Sequence, residues 1–246
     1  MSLEIRGLSK AFGTQYAVRD LRVRVDAGQI LGLVGPNGAG KTTTLRCASG
    51  IVPPTHGRIV VDGHDLVAAP AAAKRTLAFV PDDPHLFDAL TVWEHLRFTA
   101  AAYGVDRWEA SARVLLERFE LTAKRDEVAQ TLSRGMRQKT AICCAYLHAP
   151  KVILLDEPLT GLDPRGIRTM KDTLAAQAAG GAALVVSSHL LSLVEDLCTH
   201  VLVLQRGRSI LCDSLEAVRA RMGAAGDADL EALFLRVTGA DAPEPS

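Results

Sequence analysis

Residues 35–42 read Gly35-Pro36-Asn37-Gly38-Ala39-Gly40-Lys41-Thr42, which fits G-x-x-x-x-G-K-[ST] without a mismatch. The apolar run Ile30-Leu31-Gly32-Leu33-Val34 precedes the stretch, and the helix-compatible segment Thr43-Thr44-Leu45-Arg46-Cys47-Ala48 follows it. Strand, glycine-rich turn and helix start, in that order, make a phosphate-binding loop. The glycines let backbone N–H groups converge on phosphate oxygens, and the helix start adds partial positive charge. In such a loop Lys41 reaches the outer phosphates of a nucleotide and Thr42 offers its hydroxyl to Mg²⁺. The competing reading is an ordinary glycine-rich strand-to-helix turn, and the flanking elements speak against it.

A phosphate loop of this kind calls for carboxylates at the end of a second buried strand. Val152-Ile153-Leu154-Leu155-Asp156-Glu157-Pro158 supplies them. Asp156 is placed to hold Mg²⁺, directly or through water. Glu157 is placed to orient and deprotonate a water, a role that typically contributes about 10²–10⁴ in rate.

Further apolar runs at 58–61, 77–80 and 183–186 are separated mostly by helical stretches and predict a parallel α/β sheet. Before it, Leu3 and Ile5, then Leu21, Val23 and Val25, alternate with polar residues, as half-exposed antiparallel strands do. Residues 91–150 carry helix signals and no convincing strand. Thr91 and Glu94 form a capping-box pattern, Leu96, Ala100 and Tyr103 continue at helical spacing, and Val114, Leu115 and Phe119 are read as one face of a further helix. Residues 201–204 and 209–211 flank Gln205-Arg206-Gly207-Arg208 as a hairpin. Short helices are expected over 215–222 and 229–237, and a frayed end over 240–246.

Lys plus Arg and Asp plus Glu are each 28, so the formal net charge of the 246 residues is zero. Proteins whose main task is holding DNA or RNA leave a basic footprint, so no nucleic acid is expected as partner. Residues 173–194 hold no charged side chain and are long enough to span a bilayer. Gln177, Gly180-Gly181 and Ser187-Ser188-His189 interrupt them, which predicts helix, turn, buried strand and turn instead. No Arg/Lys-flanked apolar stretch opens the chain, and a cytoplasmic chain is expected. Cys47, Cys143, Cys144, Cys198 and Cys212 form no C-x-x-C pair, so buried reduced thiols are expected.

With these motifs in order, the sequence resembles the ATP-binding subunits of ABC transporters over nearly its whole length. Leu132-Ser133-Arg134-Gly135-Met136-Arg137-Gln138 stands where that family carries its "LSGGQ" signature, about twenty residues before the second strand's carboxylates; Gly161-Leu162-Asp163 and Ser188-His189 follow. The resemblance implies an α/β fold: a P-loop NTPase core with a parallel sheet, N-terminal antiparallel β strands and an all-α insertion subdomain. It implies one domain over 1–239, with a RecA-like core at 1–87 and 151–213, a helical subdomain at 88–150 and a short C-terminal helical tail at 214–239. It further implies ATP and Mg²⁺ as ligands and a head-to-tail dimer, homodimer or heterodimer, in which each ATP lies between the phosphate loop of one subunit and the signature of the other.

Residue by residue, Gly35 to Thr43 would bind ATP, with Thr42 and Asp156 on the metal. Ser133, Arg134, Gly135 and Met136 would meet ATP across the dimer. Asp163 matches the D-loop carboxylate that links the two sites, and His189 the switch histidine at the γ-phosphate, catalytic together with Glu157. Phe12, in Lys10-Ala11-Phe12-Gly13, matches the aromatic residue that stacks on adenine; a core phenylalanine is the open alternative.

Two departures from the family pattern affect the argument, one at Asp82 and one in the signature Leu-Ser-Arg-Gly-Met. Asp82, in Pro81-Asp82-Asp83-Pro84, replaces a neutral Gln. As an anion it can ligate Mg²⁺ more strongly, and it repels the γ-phosphate when the metal is absent. Arg134 replaces the first signature glycine, and either offsets charge near the phosphates or points into solvent. Similar Lys/Arg-Gly-Met signatures are familiar from drug, haem and polysaccharide exporters, which implies export.

The resemblance also implies a separate integral membrane permease, seated in a groove lined by residues 82–90 and those near Trp93, which would place the chain on the cytoplasmic face of the membrane. Leu86, Phe87 and Leu90 would be covered there, or else pack under their own helix. The second function class is a soluble ABC ATPase acting on nucleic acid or the ribosome; one ATPase unit, no coiled coil and zero net charge disfavour it.

Overall fold

The computed structural model describes residues 2–225 together with Glu231 and Phe234. Strands β1 (Leu3–Phe12) and β2 (Gln15–Val25) pair antiparallel; β1 pairs on its other side with β4 (His56–Val61), which carries the two-residue β5 (His64–Asp65). Leu3, Ile5, Val23 and Val25 are buried while Arg22 and Arg24 are exposed, so the alternation read from the sequence is a one-sided burial pattern.

The run at 58–61 belongs to this antiparallel sheet and not to the parallel one: Ile5 pairs with Ile59. Three apolar residues in a row are too few to distinguish a strand covered on both faces from an alternating one with an extra apolar residue.

The second sheet has six strands in the order β10 (Arg208–Ser214), β9 (His200–Gln205), β3 (Ile30–Val34), β8 (Ala183–Ser187), β7 (Val152–Asp156) and β6 (Leu77–Val80). From β9 to β6 the pairs are parallel, and β10 returns antiparallel through the Arg206-Gly207 turn.

The uninterrupted apolar runs have a cause here. Ile30, Ile153, Leu155, Leu184 and Val201 face one core, shared with the helices of the insertion and with α6 (Pro164–Ala179) and α7 (Leu191–Leu197). Leu31, Val152, Leu154, Val185 and Leu202 face the other, closed by the antiparallel sheet, α1 (Lys41–Ala48) and α2 (Pro70–Arg75). Successive side chains point to opposite faces, and both faces are dry.

Between β6 and β7 lie α3 (Val92–Tyr103), α4 (Trp108–Arg118) and α5 (Arg134–Leu147), the expected all-α insertion. At the start of α3, Glu94 N–H donates to Thr91 Oγ1 at 3.1 Å and Thr91 N–H donates to Glu94 Oε2 at 2.8 Å, a complete capping box. Leu96 and Ala100 are buried. In α4 the expected face is corrected: Val114 is exposed, and Ala112 and Leu116 are the buried pair, with Phe119 capping the end. Spacing of three to four residues fits either stripe, and packing selects the one that includes the small Ala112.

Residues 173–194 divide into the end of α6, a turn at Gly180-Gly181, β8 and the start of α7. Among the described residues no helix is long and apolar enough to cross a membrane. All five cysteines are free; Cys47, Cys143 and Cys198 are buried, and burial pushes the Cys198 thiol up to about 12. Cys212 departs from expectation and is exposed, because β10 is an edge strand. α8 (Leu215–Ala225) covers the helix expected over 215–222. Apart from Glu231 and Phe234, the helix expected over 229–237 and the frayed end at 240–246 lie outside the described residues.

Candidate functional site

Residues 35–40 leave β3 and turn into α1. Gly40, at φ 107°, is the N-cap; a Cβ there would sit 2.5 Å from the Ala17 carbonyl oxygen, so only glycine allows the turn to lie against β2. No side chain caps the first amides of α1, and no acidic residue occupies its first turn. Those N–H groups and the helix dipole therefore remain available to an anion. Lys41 is buried, and its Nζ donates to Gly35 O at 2.6 Å and Pro36 O at 3.3 Å, folded over the loop. Asn37, Gly38, Ala39, Lys41, Thr42 and Thr43 line a cavity of about 300 Å³, together with Asp82, Asp156 and Glu157.

The carboxylates are set by two neighbouring strand ends. In the parallel register Asp156 of β7 lies opposite Ser187 of β8. Ser187, fully buried, donates its hydroxyl to Asp156 Oδ1 at 2.5 Å. The same Oγ accepts Glu157 N–H at 3.1 Å. Glu157 adopts φ 48°, a left-handed conformation that turns the chain out of β7. Its Oε2 meets His189 Nδ1 at 2.8 Å, and the imidazole is 62% exposed against 19% for the carboxylate. Ser188 N–H donates to Leu33 O, which ties the His189 segment to β3. A carboxylate held beside an imidazole at the mouth of a lysine-containing cavity can orient a water and take its proton.

Ser187 was not singled out from the sequence. Its signal was a hydroxyl at the end of an apolar strand, two residues before His189, and its partner is thirty-one residues away.

Phe12 is exposed, so it is not a core residue. With Tyr16 and Arg19 it walls a second cavity of about 850 Å³ that shares Gly38 and Thr43 with the first. Lys10 Nζ stands 4.9 Å from its ring centroid.

Ser133, Arg134, Gly135 and Met136 do not line the phosphate cavity; they open α5 at the surface. Ser133 is the N-cap, accepting Met136 N–H at 3.3 Å. A Cβ on Gly135 would come within 2.5 Å of Gly161 O, so the start of α5 packs closely on the loop after β7. Asp163 caps α6 through Gly166 N–H, which holds its carboxyl below the usual range, and Lys139 Nζ lies 3.6 Å away. Arg134 does not point into solvent alone: its Nη2 donates to Asp82 Oδ1 at 2.9 Å.

A third cavity, of about 660 Å³, runs between core and insertion, with Ile51, Phe79, Phe87, Phe98 and Tyr103 on its apolar side. Thr42, Asp82 and Asp156 border both this groove and the phosphate cavity. Leu86 and Phe87 line it as expected; Leu90 and Trp93 do not, and the Trp93 ring lies under the Arg125 guanidinium at 3.9 Å.

The model of the family described as ABC transporter matches residues 18–160. The ABC-type transporter ATP-binding protein EcsA of Bacillus subtilis is 32% identical over 242 residues, 98% of each chain. The chain belongs to the ABC transporter family. It is an ATP-binding subunit, and its activity is ATP hydrolysis. The Nod factor export ATP-binding protein I of Cupriavidus metallidurans is 33% identical over 85% of this chain and 69% of that one. A solved ATP-binding subunit of an ABC transporter superposes with TM-score 0.92 at 34% identity, covering 97% of this chain and all of the other. The mixed architecture of this ABC subunit, a parallel sheet with antiparallel N-terminal strands, is therefore the ABC ATPase fold.

Proposed function

We propose that this subunit pairs head to tail with a second ATPase subunit around two Mg-ATP and drives a separate membrane permease in the direction of export. The observation that carries the reading is the single cavity lined by Lys41, Thr42, Asp82, Asp156 and Glu157 at the end of the parallel sheet. Lys41 leaves the loop carbonyls for the outer phosphates, and the free amides of α1 take their oxygens. Phe12 offers its exposed ring to the adenine. Glu157 orients the attacking water and takes its proton, and His189 holds that carboxylate in place.

The donor set fits Mg²⁺. Among the described residues no three His, Cys, Asp or Glu side chains gather into a cage, and Thr42, Asp82 and Asp156 offer one hydroxyl and two carboxylates around a nucleotide space. Mg²⁺ prefers such a partial shell, completed by phosphates and water. When bound it neutralises charge on the phosphate oxygens.

Pairing is supported by the placement of Ser133 to Met136. They lie outside the phosphate cavity of their own chain, at an exposed helix start suited to an anion from another subunit. A permease is supported by the family, by the lack of a spanning helix among the described residues, and by the apolar groove, whose Phe87 and Phe98 are both more than half exposed. Its site would be the cytoplasmic face of the membrane. Export is supported by the Arg-Gly-Met signature and by the exporter among the relatives. The test is purification of the tagged chain from detergent-solubilised membranes. A polytopic membrane subunit that copurifies and alters ATP turnover supports the reading; copurifying ribosomal RNA overturns it.

A further inference from the structure

His95, in the second turn of α3, is buried at 4% exposure and both of its ring nitrogens are engaged. Nδ1 lies 2.8 Å from Thr91 O, and Nε2 lies 3.0 Å from Phe87 N. Neither partner has a choice of role. A carbonyl oxygen only accepts, so Nδ1 carries the proton; a backbone N–H only donates, so Nε2 is bare. The surroundings thus admit one state, the neutral imidazole protonated on Nδ1, because a second proton would aim N–H at N–H.

The two partners belong to different pieces of structure. Thr91 is the N-cap of α3, locked by its capping box with Glu94. Phe87 lies in the segment joining β6 to α3, which also contains Asp82. Phe87 would be expected to fall into the apolar groove beside it, yet its ring stands 57% exposed at the groove's edge. The ring is stacked over His95 at 6.1 Å between centroids and meets Phe98 edge-on at 5.4 Å. The backbone bond to His95 Nε2 holds it there.

We propose that His95 is the positioning residue of the permease-docking segment: its Nδ1-protonated imidazole holds Phe87 at the rim of the groove, so that a helix of the permease finds the site formed. This rests on the docking reading given above. His95 does not line the phosphate cavity, so its part is confined to coupling.

The experiment uses the complex of this subunit with its copurified permease, and the subunit alone. His95→Phe keeps a ring and removes both hydrogen bonds; His95→Gln keeps an acceptor near the Nε2 position. Expected are basal ATP turnover in both variants close to that of the parent, a permease-stimulated turnover lowered about fivefold in His95→Phe, the shift that corresponds to the lost bond to Phe87 alone, and partial recovery in His95→Gln. In ¹⁵N spectra of the parent subunit, the imidazole signal missing from His95→Gln should be that of the Nδ1–H tautomer.

An Nε2–H or doubly protonated ring near neutral pH overturns the proposal. So does full stimulation in His95→Phe, or an equal loss of basal and stimulated turnover in both variants, which would mark a purely structural role. Phe87→Ala separates the two layers: if it abolishes stimulation while His95→Phe does not, the positioning role fails and docking stands; if neither substitution matters, docking in this groove fails as well.

Discussion

Arg134 Nη2 and Asp82 Oδ1 stand 2.9 Å apart, joining the first residue of α5 to the segment after β6 across fifty-two positions of sequence. Asp82 and Arg134 are both positions that depart from the pattern the family resemblance implies, and each meets the other's charge. Both side chains are about half exposed, so the pair contributes modestly, about 0.2–1 kcal/mol. Its significance is local: while Arg134 is in place, the Asp82 carboxylate presents less bare negative charge to the phosphate cavity.

Asp82→Gln is expected to flatten the Mg²⁺ dependence of ATP affinity. Arg134→Ala is expected to weaken ATP affinity without Mg²⁺ about two- to fivefold, and to have no such effect in the Asp82→Gln background. Titrations of labelled nucleotide with and without Mg²⁺ decide this; an unchanged Mg²⁺ dependence in Asp82→Gln refutes the charge argument.

Glu157→Gln keeps the shape of the side chain and removes its basicity. Turnover is expected to fall by about 10²–10⁴ with ATP binding retained, leaving a nucleotide-trapped dimer. Steady-state phosphate release and size-exclusion chromatography in Mg-ATP check it. Sustained turnover would take the base assignment away from Glu157.

Ser187→Ala strips a buried hydrogen bond from Asp156 and an acceptor from Glu157 N–H. A loss of about 1–3 kcal/mol in unfolding free energy is expected, since the bond to Asp156 is made to a charged group. A fall in kcat should accompany it as the two carboxylates lose their common tether. Urea unfolding and turnover measured together test the link; an unchanged kcat would reduce Ser187 to a stabilising residue.

Phe87→Ala removes the exposed ring at the groove rim while leaving the phosphate cavity untouched. Permease-stimulated turnover is expected to drop with ATP affinity unchanged, measured on the detergent-solubilised complex and on the subunit alone. Equal loss of both would argue against a docking role.

Much of this was legible in the sequence because it is local. The phosphate loop, the Asp156-Glu157 pair and the capping box are each written within eight residues, and the doubly buried strands betray themselves by unbroken apolar runs. What the sequence left open depends on contacts between distant segments. The run at 58–61 reads as a strand of the parallel sheet, and only the pairing of Ile59 with Ile5 moves it to the antiparallel one. The spacing in α4 points to a stripe through Val114, and packing overrules it in favour of Ala112 and Leu116. Ser187 could be tied to Asp156 only once the β7–β8 register was known, and the partnership of Asp82 with Arg134 only once α5 was laid beside the loop after β6.

The backbone at Glu157 carries a consequence for how this position can evolve. A non-glycine residue at φ 48° costs roughly 1–3 kcal/mol relative to a relaxed conformation. Drift toward glycine or asparagine would ease the chain and yield a sturdier protein that, on the proposed role, no longer turns over. Fold and chemistry therefore select in opposite directions at one codon. A screen of this chain for thermal tolerance alone should enrich for variants that have lost their carboxylate there.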